Sequence, residues 1–138
     1  MKAGFTCGVW PTRRARGLVA VVVDEDGRAQ PPLTFARGPD DAWALLAYLD
    51  ASVGLDCELV LPDWLARSVD IARFALERGS AVWLVPPPIL ESVHVVAHLV
   101  TGPPARTAAA LARLPLAPAL RAHLRRLAPP LKHQLTLF

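Results

Sequence analysis

The sequence predicts an α/β domain: a mixed five-stranded sheet in the element order β-β-β-α-β-α-β-α, with helices on both of its faces. Two observations lead there. Residues 1–36 hold three short strand-like runs, rich in β-branched and apolar residues, separated by turn signals. After them, helical patterns alternate with short apolar runs, as in a sheet whose later strands are joined by crossover helices. A chain of 138 residues has room for one such domain, assigned to residues 1–128, followed by a tail at 129–138 that Pro129-Pro130 sets off as a linker.

Each element has its own warrant. "AGFTCGVW" (3–10) and "GLVAVVV" (17–23) read as strands, the second closed by the turn Asp24-Glu25-Asp26-Gly27, and "PPLTFA" (31–36) as a third, which makes an antiparallel meander. "GPDDAWALLAYLDASVG" (38–54) opens with Pro39 and two acids at the positive end of a helix and stops at Gly54. "DCELVLP" (56–62) is a short buried strand. "DWLARSVDIARFALERG" (63–79) places Leu65, Val69, Ala72 and Leu76 on one helical stripe and ends at Gly79. "SAVWLVPP" (80–87) is the fifth strand. From Pro88 the pattern is helical throughout: residues 88–102, then 104–114, then 118–127.

Several function classes are set aside by composition. No stretch sustains the roughly 18–20 apolar residues of a membrane span. The opening residues lack the continuous apolar segment of a secretory signal, so a cytoplasmic location is expected. Cys7 and Cys57 lie far apart, match no metal spacing and read as small core residues. His94 and His98 have a ligating spacing, but "HVVAH" lacks the Glu of a zinc hydrolase helix, and His123 and His133 are isolated; no metal site is expected. The net charge of +3 hides a partition: residues 1–23 carry +4 with no acid, 24–91 carry −7, and 92–138 carry +6 with no acid. Two basic ends suit a phosphate backbone if the fold brings them to one face; otherwise the arginines serve solubility.

Three stretches together resemble the RuvC-type Holliday-junction resolvases of the ribonuclease H-like superfamily. "GVWPTRRARGLVAVVVDEDGR" (8–28) is similar to that family's first hairpin, where a Gly-Ile-Asp-Pro-Gly strand end precedes a Thr-Gly-x-Ala-Val-Val strand. "VVAHLVTGPPARTAAALARL" (95–114) is similar to its Val-Thr-Gly-x-Gly-x-Ala segment and following helix, and "PLAPALRAHLRRL" (115–127) falls where its Asp-Ala-Ala-Asp-Ala-Leu helix lies. The element order is also that of the superfamily. Such enzymes use four carboxylates around two divalent ions, one ion activating water and the other stabilising the leaving oxygen. Carried over, the first acid falls on Trp10 and the two of the last helix on Pro115 and Pro118, while the second falls near Leu61 or Pro62, one residue before Asp63. No register shift restores them, because residues 1–23 and 92–138 contain no acid. The resemblance thus implies a domain without catalytic residues, metal or cofactor. Asp63 is better read as a helix N-cap. A rearranged nuclease using magnesium would have to draw on Asp63, Glu91 and acids near the second strand.

Other chemistry finds no footing: there is no glycine-rich phosphate loop and no Gly-x-Ser-x-Gly turn. Trp43, Trp64 and Trp83 read as core or near-core residues. Trp10, at the strand end where the family's site opens, either plugs the position, the simpler reading, or stacks on an unpaired base.

The tail supplies the sharpest motif. "QLTLF" resembles the Gln-Leu-x-Leu-Phe pentapeptide with which bacterial replication and repair proteins dock on the DNA polymerase III β sliding clamp. In that mode Leu137 and Phe138 fill the main apolar pocket, Leu135 makes a lesser contact, Gln134 takes a polar notch and Thr136 faces outward. Folding back of Leu131, Leu135, Leu137 and Phe138 as an edge strand or lid on the chain's own core is the alternative. The expectation is therefore a non-catalytic, RuvC-like accessory of DNA replication or repair, bound to the clamp and touching DNA non-specifically through Arg13, Arg14, Arg16, Arg106, Arg121, Arg125 and Arg126. The rivals are the rearranged nuclease and a protein-interaction subunit that does not touch DNA. The high apolar content would also suit a homodimer.

Overall fold

The computed structural model describes residues 4–11, 17–36, 44–45, 47–49, 57–68, 71–90 and 104–127. Its elements are β1 (Phe5–Pro11), β2 (Gly17–Val23), β3 (Leu33–Ala36), β4 (Cys57–Pro62), α1 (Asp63–Ser68), α2 (Ile71–Glu77), β5 (Val82–Val85), α3 (Pro104–Arg113), a 3-10 turn (Leu114–Leu116), α4 (Pro118–Arg121) and β6 (Arg125–Leu127). Residues 44–45, 47–49 and 87–90 are also helical. The strands form one mixed six-stranded sheet in the order β3-β2-β1-β4-β5-β6. β1 pairs antiparallel with β2 and β2 with β3, whereas β1, β4 and β5 run parallel and β6 returns antiparallel to β5.

Period-two alternation divides the core between the two faces. Cys7, Val9, Leu18, Ala20, Val22, Leu59, Leu61 and Leu84 face one side, where they meet Leu45 and Leu49, Leu65 of α1, and Ile71, Ala72 and Ala75 of α2. Val19, Val21 and Val23 face the other, against Ala108, Ala109 and Ala112 of α3. β2 is buried along its whole length, as a strand covered on both faces must be. The small side chains of α3 allow close approach: a Cβ on Gly8 would fall 2.8 Å from the Ala112 nitrogen and closer still to the Ala108 carbonyl oxygen. The Thr6 hydroxyl donates to the Ala112 carbonyl at 2.6 Å, which fixes the helix along β1.

The two predicted turns form by the expected chemistry. Asp24 Oδ1 accepts from the backbone nitrogens of Asp26 and Arg28, and Gly27 takes φ +82°. Gly79, at φ +95°, ends α2: Gly79 N donates to Leu76 O and Ser80 N to Ala75 O, the paired bonds of a Schellman cap.

Two expectations are corrected. The sheet has six strands, not five, because the helix expected over residues 118–127 stops at Arg121 and residues 125–127 become β6. The open edge of β5 offers unpaired backbone groups, and alternation there seats Leu127 in the core on one face and Arg126 on the other. The helix expected over residues 63–79 is seen as α1 and α2: Leu65 and Ala72 of its stripe are buried and Leu76 packs, partly buried, against the same core, while Val69 lies outside the described residues. Trp64, expected near the core, is 43% exposed. The tail, Trp43, His94, His98 and His133 lie outside the described residues.

Candidate functional site

The parallel strands β1 and β4 end side by side, at Trp10-Pro11 and Leu61-Pro62. In open α/β sheets, ligands sit outside the carboxyl ends of such strands. Trp10 shares the face of α3 and packs, partly buried, against the apolar clusters there. β4 leads straight into α1, whose second residue is Trp64. The two indoles meet edge to face, with centroids 5.9 Å apart and planes at 77°. Trp64 thus stands exposed with its ring braced by a partly buried partner.

α3 borders the same corner. Thr6 meets Ala112 and Gly8 meets Ala108, so the helix runs antiparallel to β1 and its first turn lies toward Trp10. That turn contains no acid, and Arg106 in it is exposed. The positive end of the helix dipole adds to the guanidinium charge. Asp63 opens α1, immediately before Trp64.

A second cluster lies along the sheet toward its β6 edge. Trp83, 4% exposed, donates its indole N–H to Glu58 Oε1 at 2.6 Å. Arg126 bonds the other oxygen of Glu58 at 3.1 Å, and the guanidinium groups of Arg121 and Arg126 lie 5.5 and 5.6 Å from the centroid of the Trp83 ring. Glu58 thereby offsets one of the two cations, and the indole face accepts both. Its partners give this cluster a structural role. Arg125 pairs with Leu84 and projects from the opposite face.

The described arginines among those expected to contact DNA are therefore dispersed. Arg121 and Arg126 meet at Trp83, Arg106 is at the Trp10 corner, and Arg125 is on the far face. Arg13, Arg14 and Arg16 lie outside the described residues, as do Glu91 and the tail residues Gln134, Leu135, Leu137 and Phe138. Among the described acids of the rearranged-nuclease alternative, Asp63 and those after the second strand do not converge either. Val23 pairs with Thr6 and Leu18 with Pro11, so the Asp24–Asp26 turn is at the opposite end of β1 from Asp63. Among the described residues, no three His, Cys, Asp or Glu side chains are grouped to hold a metal ion, and no helix is long and apolar enough to cross a membrane.

Both cysteines are buried and free, on adjacent strands. Burial pushes the Cys7 thiol well above its ordinary value, with Cys57 adding to the effect. Burial, then the adjacent Glu58 carboxylate, push Cys57 up to about 12. Neither is poised as a nucleophile.

Sequence reasoning missed two features, the exposure of Trp64 and the Glu58–Trp83–Arg126 link. The first had a signal: Asp63-Trp64 follows the strand-ending Pro62 directly, so a helix starting there must begin at the rim of the sheet. Neither known family patterns nor curated proteins match this chain.

Proposed function

We propose that this chain is a ribonuclease H-like domain of RuvC type that has lost two-metal chemistry and acts as an accessory in bacterial DNA replication or repair. Gln134, Leu135, Leu137 and Phe138 hold it to the polymerase III β sliding clamp, and basic side chains touch DNA without reading sequence. The observation that carries the non-catalytic part is the corner at the ends of β1 and β4: Trp10 stands where the resemblance puts the first metal-binding carboxylate, and its ring meets that of Trp64, just beyond the Leu61-Pro62 position to which the resemblance assigns the second. An antiparallel β1–β3 meander continued by β4 and β5 parallel to β1 supports the superfamily assignment. The clamp assignment is supported by the four matching letters of the tail.

A four-way junction and a linear duplex, incubated with the purified chain and magnesium or manganese, test the loss of chemistry. The reading expects binding that weakens as salt is raised, because phosphate contacts release counterions, and no cleavage. Metal-dependent cleavage that disappears in Asp63→Asn would favour the nuclease instead.

A further inference from the structure

We propose that the Trp10–Trp64 pair is a stacking platform for an unpaired nucleobase of single-stranded DNA, with the neighbouring phosphates lying toward Arg106 and the first turn of α3. This rests on the DNA-contacting reading above and names the form of DNA that the corner takes.

Trp10 and Trp64 occupy one corner but differ in exposure. Trp10 fills the space between the sheet and α3, whereas Trp64 keeps 43% of its surface in water. The Trp64 ring is braced at the surface by an edge-to-face contact with Trp10 at 5.9 Å. A braced ring loses little freedom when a flat partner arrives, so stacking retains more of its free energy than it would on a mobile side chain. Every base has a π-face, so such a platform tolerates any sequence. A duplex keeps those faces inside its own stack and gives the platform nothing to hold.

Charge at the corner sets the direction of the strand. On the α3 side the first turn lacks an acid and exposes Arg106, so the backbone of a stacked nucleotide is favoured there. Aromatic surface beside the positive end of a helix fits a nucleotide strand better than it fits a neutral apolar peptide.

Fluorescence anisotropy of the full chain with a labelled oligothymidylate of about 15 nucleotides, and with a duplex of equal length, tests the proposal. Wild type should bind the single strand more tightly than the duplex. Trp64→Ala should lose about tenfold or more in affinity for the single strand, the effect of one lost base stack, and stay within about twofold on the duplex. Trp64→Phe, which keeps a π-face, should retain most of the binding. Because Trp64 is at the surface, the variants should fold, and a wild-type circular dichroism melt checks this. Equal single-strand binding by Trp64→Ala and wild type would overturn the platform while leaving duplex contacts, and hence the broader reading, in place. Loss of both DNA forms together in Trp64→Ala would also overturn it. If wild type binds neither form, the platform fails along with the DNA arm of the proposed function.

Discussion

Replacing Gly8 with Ala tests the packing that forms the candidate corner. The added Cβ would sit 2.8 Å from the Ala112 nitrogen and closer to the Ala108 oxygen, both backbone atoms of α3 that no rotamer change can move. Carbon contacts are comfortable at roughly 3.5–4.0 Å, so α3 has to retreat by on the order of 1 Å. Overpacking of this kind costs about 1–3 kcal/mol. Retreat also stretches the 2.6 Å bond from Thr6 to Ala112, worth about 1 kcal/mol. The combined expectation is a loss of about 2–4 kcal/mol, a large share of the roughly 5–15 kcal/mol that holds a domain together. Urea unfolding followed by tryptophan fluorescence measures it. Gly4→Ala is the control, since nothing lies within 4 Å of a Cβ there. If Gly8→Ala unfolds within about 0.5 kcal/mol of wild type, α3 is not seated on β1 and its first turn does not border Trp10.

Two further outcomes follow from buried groups. Glu58→Ala strips the acceptor from the Trp83 indole and the ion pair from Arg126, and should destabilise by about 1–3 kcal/mol in urea melts; Glu58→Gln, which can still accept the indole N–H, should cost clearly less. Equal costs would mean that the indole bond contributes nothing. The raised thiol values of Cys7 and Cys57 stabilise the fold fully while folded and unfolded thiols are both protonated. That stabilisation should fall as pH rises past the ordinary value of 9.0 toward about 12 for Cys57. The slope is about 1.4 kcal/mol per pH unit for each thiol. Urea midpoints between pH 8 and 11 should therefore drop faster in wild type than in the Cys7→Ala/Cys57→Ala double variant, and parallel curves would contradict the burial of these thiols.

What the sequence made legible follows from how local each signal is. Strands β1 to β5 were readable because each is an apolar run bounded by glycine, proline or acidic turns, and α3 because its alanines recur on one face. β6 was not readable. Leu120, Leu124 and Leu127 recur at helical spacing, and only the open edge of β5, a tertiary fact, draws residues 125–127 into the sheet. The same limit applies to the site. That carboxylates are missing from the first strand was visible from composition, whereas the meeting of Trp10 with Trp64 depends on β1 and β4 lying side by side, 54 residues apart in the chain. Arg121 and Arg126 could be listed as basic, but their partnership with Trp83 and Glu58 could not.

Surface plasmon resonance on an immobilised bacterial sliding clamp tests the proposed function most directly, with the intact chain compared against a variant carrying Leu137→Ala and Phe138→Ala. Burial of two or three apolar side chains in a preformed pocket, less the cost of ordering the tail, predicts a dissociation constant of about 1 μM for the intact chain. It predicts loss of the signal in the variant. No binding by the intact chain, or equal binding by the two, would contradict the account and leave the domain without its link to the replication machinery.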